Sequence, residues 1–307
     1  MNIPLKQKLS ELGMAVSRLT WAIERPNPYL IFGPAVISFS GGRTSAYMLH
    51  QILQAHGGRL PDDVIVLFQN TGREMEGTLE FVRDVGVNFN VPIVWLEYDG
   101  TGEKPSYRRV AFETASRDGR PFEEMLTRKS ALPNPVARFC TIELKIRTAK
   151  RFIVAEYGWK RWTNVVGLRR DEPARVVKAT DPTRNKKDRW DVICPLWEAG
   201  VEQHDVFAFW KRQPFDLMLA GPWEGNCDGC FLKNKGAISR MCADYPERLQ
   251  WWADQEATPR GDGNGKAFRR PGSRASYAVM IAEAQAGKLA KYDPADDLPC
   301  DDLGCGI

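Results

Sequence analysis

Val36-Ile37-Ser38-Phe39-Ser40-Gly41-Gly42-Arg43-Thr44-Ser45, running on through Ala46 to His56, decides how this chain folds. Pro34 precedes a short apolar run, Ala35 to Phe39, β-branched in its middle, which reads as a buried strand. A proline just before a strand removes no ladder bond. Gly41 and Gly42 can take backbone angles other residues avoid, and they let another molecule approach the main chain closely. Leu49/Leu53 and Met48/Ile52 then recur at helical spacing, Thr44 or Ser45 is placed to cap the helix, and Gly57-Gly58 stops it. Such a unit leaves unbonded N–H groups at a helix start, which is an anion site. The hydroxyls of Ser40, Thr44 and Ser45 add donors. The glycines alone would fit an ordinary turn; with three hydroxyls between strand and helix they read as a phosphate cradle. It is not a Walker loop, because no Gly-Lys-Ser/Thr follows at the required spacing.

Working outward, Val64 to Phe68 reads as a second buried strand, followed by Asn70-Thr71-Gly72 and a helix from about Glu74 to Asp84; Ile93 to Leu96 is a third strand. Strands alternating with helices predict a parallel sheet with right-handed crossovers. Ligands on such a sheet bind at the carboxyl ends of the strands, where Ser40 and Asn70-Thr71-Gly72 both fall. Read alone, Asn70-Thr71-Gly72 is equally a helix cap and turn. Residues 100–135 are polar, with scattered Gly and Pro, and read as a lid-like loop with a short helix around Phe122 to Arg128. Its Arg108 and Arg109 either face phosphates or are simply solvated. A long helix is expected from about Phe139 to Tyr157, with Arg138 and Cys140 at its positive end, a setting that favours a thiolate. Asn164 to Gly167 is a further strand delivering Arg169, Arg170, Asp171 and Glu172, with Arg175 beyond. Arginine forks there suit phosphate or sulfate oxygens; a surface salt-bridge cluster is the alternative.

Cys227-Asp228-Gly229-Cys230 is a Cys-x-x-Cys knuckle, a spacing that grips one metal or two corners of a cluster. Cys242 follows, and Cys140 supplies a fourth thiol if the fold brings its helix start alongside; a redox pair is the other use of such a knuckle. Cys194 reads as core. Two more cysteines, Cys300 and Cys305, fall in the last eight residues, and a tail thiol flanked by Gly304 and Gly306 can act as a mobile nucleophile.

The opening stretch resembles the PP-loop, usually Ser-Gly-Gly-x-Asp/Thr-Ser, of the adenine nucleotide α-hydrolase superfamily. Ser38 to Ser45 is most similar to the PAPS reductase family (sulfonucleotide reductases), including its phage-borne and DNA-phosphorothioation relatives. The resemblance covers about Pro34 to Cys230 and reaches the tail only weakly. It implies a Rossmann-like α/β fold, nucleotide contacts from Ser38, Ser40, Gly41, Gly42, Arg43, Thr44, Ser45, Asn70, Thr71, Gly72, Gly167, Arg169 and Arg175, and a sulfate end held by Lys145 and Arg169. It also implies metal ligation by Cys140, Cys227, Cys230 and Cys242, as a [4Fe-4S] cluster or zinc. Cys300 is the alternative to Cys242. Thr141 stands where APS-type reductases carry a second adjacent cysteine. The tail lacks the family's Glu and terminal His around Cys305, the expected catalytic thiol.

Domains are expected at 1–200 (nucleotide-binding, with an amphipathic N-terminal helix over 4–24) and 201–307 (a helical cysteine module with a mobile tail). Of 307 residues 43% are hydrophobic, enough for a sizeable core, and the net charge of +4 suits an anionic ligand without demanding nucleic acid. Seven cysteines, and charges at Lys6, Lys8, Glu11, Arg18, Glu24 and Arg25 where a signal sequence would be apolar, predict a reducing cytoplasm, with no membrane span. Three functions follow: reduction of PAPS or APS to sulfite through Cys305 with a thioredoxin-like reductant; an ATP pyrophosphatase that adenylates an acceptor and inserts sulfur into DNA, tRNA or a small molecule; or a non-catalytic nucleotide-binding accessory protein. A homodimer is compatible with each.

Overall fold

The computed structural model describes residues 27–181, 188–260, 267–268 and 275–293. The expected helix over 4–24, Cys300 and Cys305 lie outside the described residues. Six strands form one sheet: β1 (Ala35–Ser38), β2 (Val64–Asn70), β3 (Ile93–Asp99), β4 (Ser106–Val110), β5 (Trp162–Val165) and β6 (Trp190–Ile193). Their order is β4-β3-β2-β1-β5-β6, parallel except for β4. The chain leaves β1 for β2 and β3 on one side and later for β5 and β6 on the other. That reversal opens a crevice at the carboxyl ends of β1 and β5, the place where such sheets receive ligands.

Side chains alternate across the sheet. Ala35 and Ile37 of β1, with Val64, Val66 and Phe68 of β2, face one apolar cluster. Val36, Ile65 and Leu67 face the other. Both faces are covered, which is why the central strands are near-continuous apolar runs. The first face takes α1 (Arg43–Ala55) and α2 (Glu76–Asn88). The second takes α4 (Thr148–Tyr157), through Ala149, Phe152 and Ile153. A third cluster joins α3 (Arg120–Lys129) to the cysteine segment and the later helices.

The remaining helices are α5 (Pro173–Ala179), α6 (Pro195–Glu198), α7 (Gln203–Trp210), α8 (Lys235–Asp244), α9 (Pro246–Ala257) and α10 (Tyr277–Gln285). Val206, Phe209 and Trp210 of α7 and then Leu217 pack in the first cluster, so the core on the first face of the sheet runs past residue 200. Conversely, Phe122, Met125, Leu126 and Leu144 pack with Cys230, Met241 and Trp252. One expectation is corrected, and the helix expected over 139–157 is formed. The stretch 100–135 is not simply a loop, because β4 pairs antiparallel with β3 through Tyr98↔Tyr107 and Glu97↔Arg108. Its Arg108 binds Asp99 and Glu124. The helix expected from Phe139 has a π-helical stretch at Thr141–Arg147 before α4. No described helix is long and apolar enough to cross a membrane.

Glu97, wholly buried at the centre of β3, accepts from Asn70 Nδ2 (2.7 Å), the Ser116 amide (2.6 Å) and Arg120 Nη2 (3.0 Å). Glu97→Ala orphans the buried Ser116 amide and takes one of two acceptors from Asn70 Nδ2, while the half-exposed Arg120 can turn to water; an orphaned buried donor costs about 1–3 kcal/mol. Urea unfolding should therefore show a lower midpoint with an unchanged slope.

Candidate functional site

At the β1–β5 crevice lies a cavity of about 170 Å³ lined by Ser38, Ser40, Gly42 to Ser45, Val166 to Arg169, Glu172 and Arg175. Gly41 turns the chain into it with φ +79°, and a Cβ there would meet Thr78 Cγ2 at 2.8 Å and Phe68 at 3.2 Å. Glycine is required at that position on both counts. Gly42 is different. Its backbone is extended, and a Cβ would meet only Ser40 Oγ, at 3.6 Å.

Helix α1 starts at Arg43 with Gly42 as its N-cap and no side-chain cap. The capping expected of Thr44 or Ser45 is not made, because both lie inside the first turn. Ser45 Oγ instead turns back, accepting from the Ser40 amide (3.3 Å), lying 3.0 Å from Ser40 Oγ and donating to the Gly42 carbonyl (3.0 Å). Thr44 Oγ1 accepts from Arg169 Nη1 (3.1 Å). The hydroxyl of Ser38, on the cavity wall and 4% exposed as a residue, has no hydrogen-bond partner. A buried hydroxyl without a partner is rare enough to require a reason; an anion on the uncapped helix start supplies one.

The arginines divide. Arg43, expected among the nucleotide contacts, clamps Asp216 through Nε (2.6 Å) and Nη2 (2.9 Å) and donates to the Leu217 carbonyl (2.7 Å). Arg169 faces the cavity while held by Asp171, at 2.9 Å from Nε, and Arg175 is paired with Glu172. Gly167 packs against Ser45, whose Cα a Cβ would meet at 3.3 Å. The salt-bridge cluster posed as one of two alternatives is formed, and Arg169, Glu172 and Arg175 of it line the cavity. Burial alone would push the Asp171 carboxyl up; the hydrogen bond and charge of Arg169 more than offset it and hold it below the usual carboxylate range.

The loop after β2 is built as a turn. Asn70 Oδ1 accepts from the Gly72 amide (3.0 Å), its Nδ2 reaches Glu97 and the Ser116 carbonyl, and Thr71 donates to Glu74. Thr71 Oγ1 also lies 3.4 Å from Cys227 Sγ. Gly72, at φ +80°, has Ser116 Oγ where a Cβ would stand.

Beside Thr71 is a second, mainly apolar cavity of about 30 Å³. Cys140, Cys227 and Cys230 line it with Thr141, Leu144 and Lys145 from the π-helical stretch, Arg138, Phe122, Phe231 and Trp252. Such stretches are frequent at functional sites. This one is held by Glu143, which binds Lys129 (2.7 Å), Arg147 (2.6 Å) and Arg151 (3.3 Å). Lys145 and Arg169, expected at one anionic end, therefore line different cavities. Cys242 is buried on α8 in the same apolar cluster as the other three thiols but is not on the cavity wall. Their chemistry suits a thiolate-bound centre, yet among the described residues no three Cys, His, Asp or Glu side chains form a metal-holding group. Burial raises the Cys227 thiol well above its ordinary value, Glu74 adds to the effect, and Lys145 opposes it.

Sequence reasoning missed Arg73 and Asp228, whose buried ion pair (2.6 Å) joins the loop after β2 to the knuckle. The available signal was an arginine directly after Asn70-Thr71-Gly72 and a carboxylate inside Cys-x-x-Cys.

No family model matches the chain. It is 33% identical over 215 residues to an uncharacterized nin region protein, ORF290, of Escherichia phage lambda, covering 68% of this chain and 69% of that one. The chain belongs to the family of that phage protein. It is also 24% identical to an uncharacterized 37.8 kDa protein in the gpa 5′ region of Escherichia phage 186, over 72% of this chain and 68% of the relative. A third relative, the uncharacterized protein MJ0066 of Methanocaldococcus jannaschii, is 21% identical over 71% of this chain and 40% of its own length. Among solved structures, the phosphate complex of a phosphoadenylyl-sulfate (PAPS) reductase from Candida auris aligns with a TM-score of 0.41 and 16% identity, covering 69% of this chain and 87% of that one.

Cys194, read from sequence as core, is 2% exposed in the second apolar cluster, and burial with help from Glu198 pushes its thiol up to about 12. Iodoacetamide at pH 8 should leave Cys194 unmodified in the native protein and alkylate it in urea, as peptide mass spectrometry will show.

Proposed function

We propose that this protein binds an adenine nucleotide with its phosphates on the loop from Ser40 to Ser45, and that it performs sulfur chemistry through a cysteine thiol. The observation that carries the reading is the buried, unpartnered Ser38 hydroxyl on the wall of a cavity that also holds an uncapped helix start and Arg169. A phosphate there would take hydrogen bonds from Ser38 and the first-turn amides, and would compete with Asp171 for Arg169.

The reaction we favour is reduction of PAPS or APS. The thiolate of Cys305 attacks the sulfo sulfur, forming an S–S bond as the bond from sulfur to the phosphate oxygen breaks. The adenine nucleotide leaves with that oxygen. A thioredoxin-like dithiol then attacks Cys305, releasing sulfite and ending as a disulfide. Arg138 and Lys145 beside the thiol cavity support an anionic sulfo end there. The second reading, an ATP pyrophosphatase that transfers sulfur to nucleic acid or a small molecule, is supported by Thr141 at the position of a second cysteine. Either reaction belongs in a cytoplasmic compartment.

Gly42→Val should fold, because its Cβ meets only Ser40 Oγ, yet lose nucleotide affinity at least about 100-fold, since a side chain would fill the space of the anion. Calorimetry with PAPS, APS and ATP reads this, and unchanged affinity for all three removes the cradle. Cys305→Ser should keep affinity and lose sulfite release. Binding of ATP alone, or full activity of that variant, selects the pyrophosphatase.

We propose separately that Cys140, Cys227, Cys230 and Cys242 are the metal-binding set, supported by three of them sharing one cavity wall. The group would be an iron–sulfur centre in preference to zinc. Anaerobically prepared protein should contain iron and inorganic sulfide and lose both in Cys227→Ser. Zinc without iron would assign zinc, and neither metal would end the proposal.

A further inference from the structure

Asp228 sits inside the knuckle, between Cys227 and Gly229, and is wholly buried. Its carboxylate accepts from Arg73 Nη2 (2.6 Å) and Nε (3.3 Å), Arg248 Nε (2.8 Å), Trp252 Nε1 (2.7 Å) and the Gly229 amide (2.7 Å). Its own amide donates to the Arg73 carbonyl (2.8 Å). Arg73 also reaches the Arg248 carbonyl (2.6 Å), and Arg248 Nη2 the Glu74 carbonyl (2.8 Å). The Arg73 guanidinium lies 4.8 Å from the centre of the Trp251 ring.

The bonds of Arg73, and that of Arg248 to the Glu74 carbonyl, span the gap from the loop after β2 to the cysteine segment and α9, while Arg248 Nε, Trp252 Nε1 and the Gly229 amide brace the Asp228 carboxylate from the far side. On the loop side, Arg73 directly follows Gly72, and Thr71 touches Cys227. On the knuckle side, Gly229 lies so close to Trp252 that no side chain fits between them. Burying a carboxylate under two guanidinium groups is a poor way to gain stability, because apolar packing of equal volume serves as well. What it does provide is one position. The bonds are charge-assisted and short, and the cluster is either assembled or broken.

We propose that the Arg73–Asp228–Arg248 cluster is a strut through which the loop after β2 sets the position of Cys227, with Asp228 as the positioning residue. This rests on the reading that a nucleotide seats at the carboxyl edge of the sheet. A ligand that tightens the loop then tightens the knuckle as well.

Hydrogen exchange measured by mass spectrometry on the full chain, with and without ATP or PAPS, tests it. In the wild type either nucleotide should slow exchange in peptides covering 40–49, 70–76 and 226–233, each by about 5-fold or more. Asp228→Asn should keep the protection at 40–49 and lose it at 226–233. Arg248→Gln, which leaves Arg73 on Asp228, should reduce it and serves if the first variant fails to fold. Protection of 40–49 without 226–233 in the wild type overturns the strut, as does retained protection of 226–233 in the variants. If 40–49 is never protected, the nucleotide reading fails instead. The strut is then read without ligand: Asp228→Asn or Arg248→Gln must speed exchange in both 70–76 and 226–233, and a change confined to 226–233 overturns it.

Discussion

At Gly41 the chain must leave β1 with φ +79° while packed against Thr78, Val82 and Phe68. No side chain is compatible with that conformation and that contact together. The turn is what directs α1 back over the sheet with its N-terminus at the crevice between β1 and β5. Cover from α2 and α7 over the first face, and the cavity between Ser38 and Arg175, both depend on that direction. Ser45 reinforces it from within the helix by bonding back to Ser40 and Gly42, which fixes the loop while leaving the helix start without a cap.

The charged residues divide into those that build and those that wait. Arg43, Arg73 and Arg108 are each committed to carboxylates and carbonyls on distant segments, and the sheet edge and the later helices are joined through them. Arg169 is only lightly committed. Its carboxylate partners Asp171 and Glu172 are two and three residues away on the same loop, and its one long-range bond, to Thr44 Oγ1, ends on the cavity wall, so exchanging Asp171 for a ligand oxygen need not disturb that bond. A cation whose partner is local can be recruited by an incoming anion at small structural cost, whereas one that bridges segments cannot.

Much of this was legible in the chain. Apolar runs between glycine turns gave the parallel strands, because both faces of the sheet are covered and the pattern is continuous. The strand–turn–helix unit at Gly41 was legible because glycine positions there are dictated by the backbone itself. The Cys194 environment followed from its apolar neighbours. Other features were hidden for a physical reason. β4 carries Tyr107, Arg108 and Arg109, an edge strand whose polar composition reads as loop. The π-helical turn at Thr141–Arg147 has a helical sequence, and nothing local distinguishes it from α. Asp228 and Arg73 are 155 residues apart and acquire their role only through tertiary contact. Arg43 sits in the motif yet turns to Asp216, a partner that no spacing rule can supply.

Two cavities of opposite character lie toward the carboxyl ends of the strands, one by β1 and β5 and one beside the loop after β2, and they share no lining residue. The cradle is polar, open to water and rich in donors, so an anion can occupy it without reorganising the protein. The thiol cavity is apolar, and burial, with Glu74 beside it, raises the Cys227 thiol above its ordinary value. A raised thiol has less thiolate, the nucleophilic form. Lys145 pulls the other way but does not prevail. A positive centre beside Cys227, or a shift of Glu74 away from it, would act against that rise. Glu74 accepts both the amide and the hydroxyl of Thr71. The loop at the carboxyl end of β2 therefore holds one of the charges that raise the thiol, and so ties the electrostatics of the cysteine segment to the geometry of that loop.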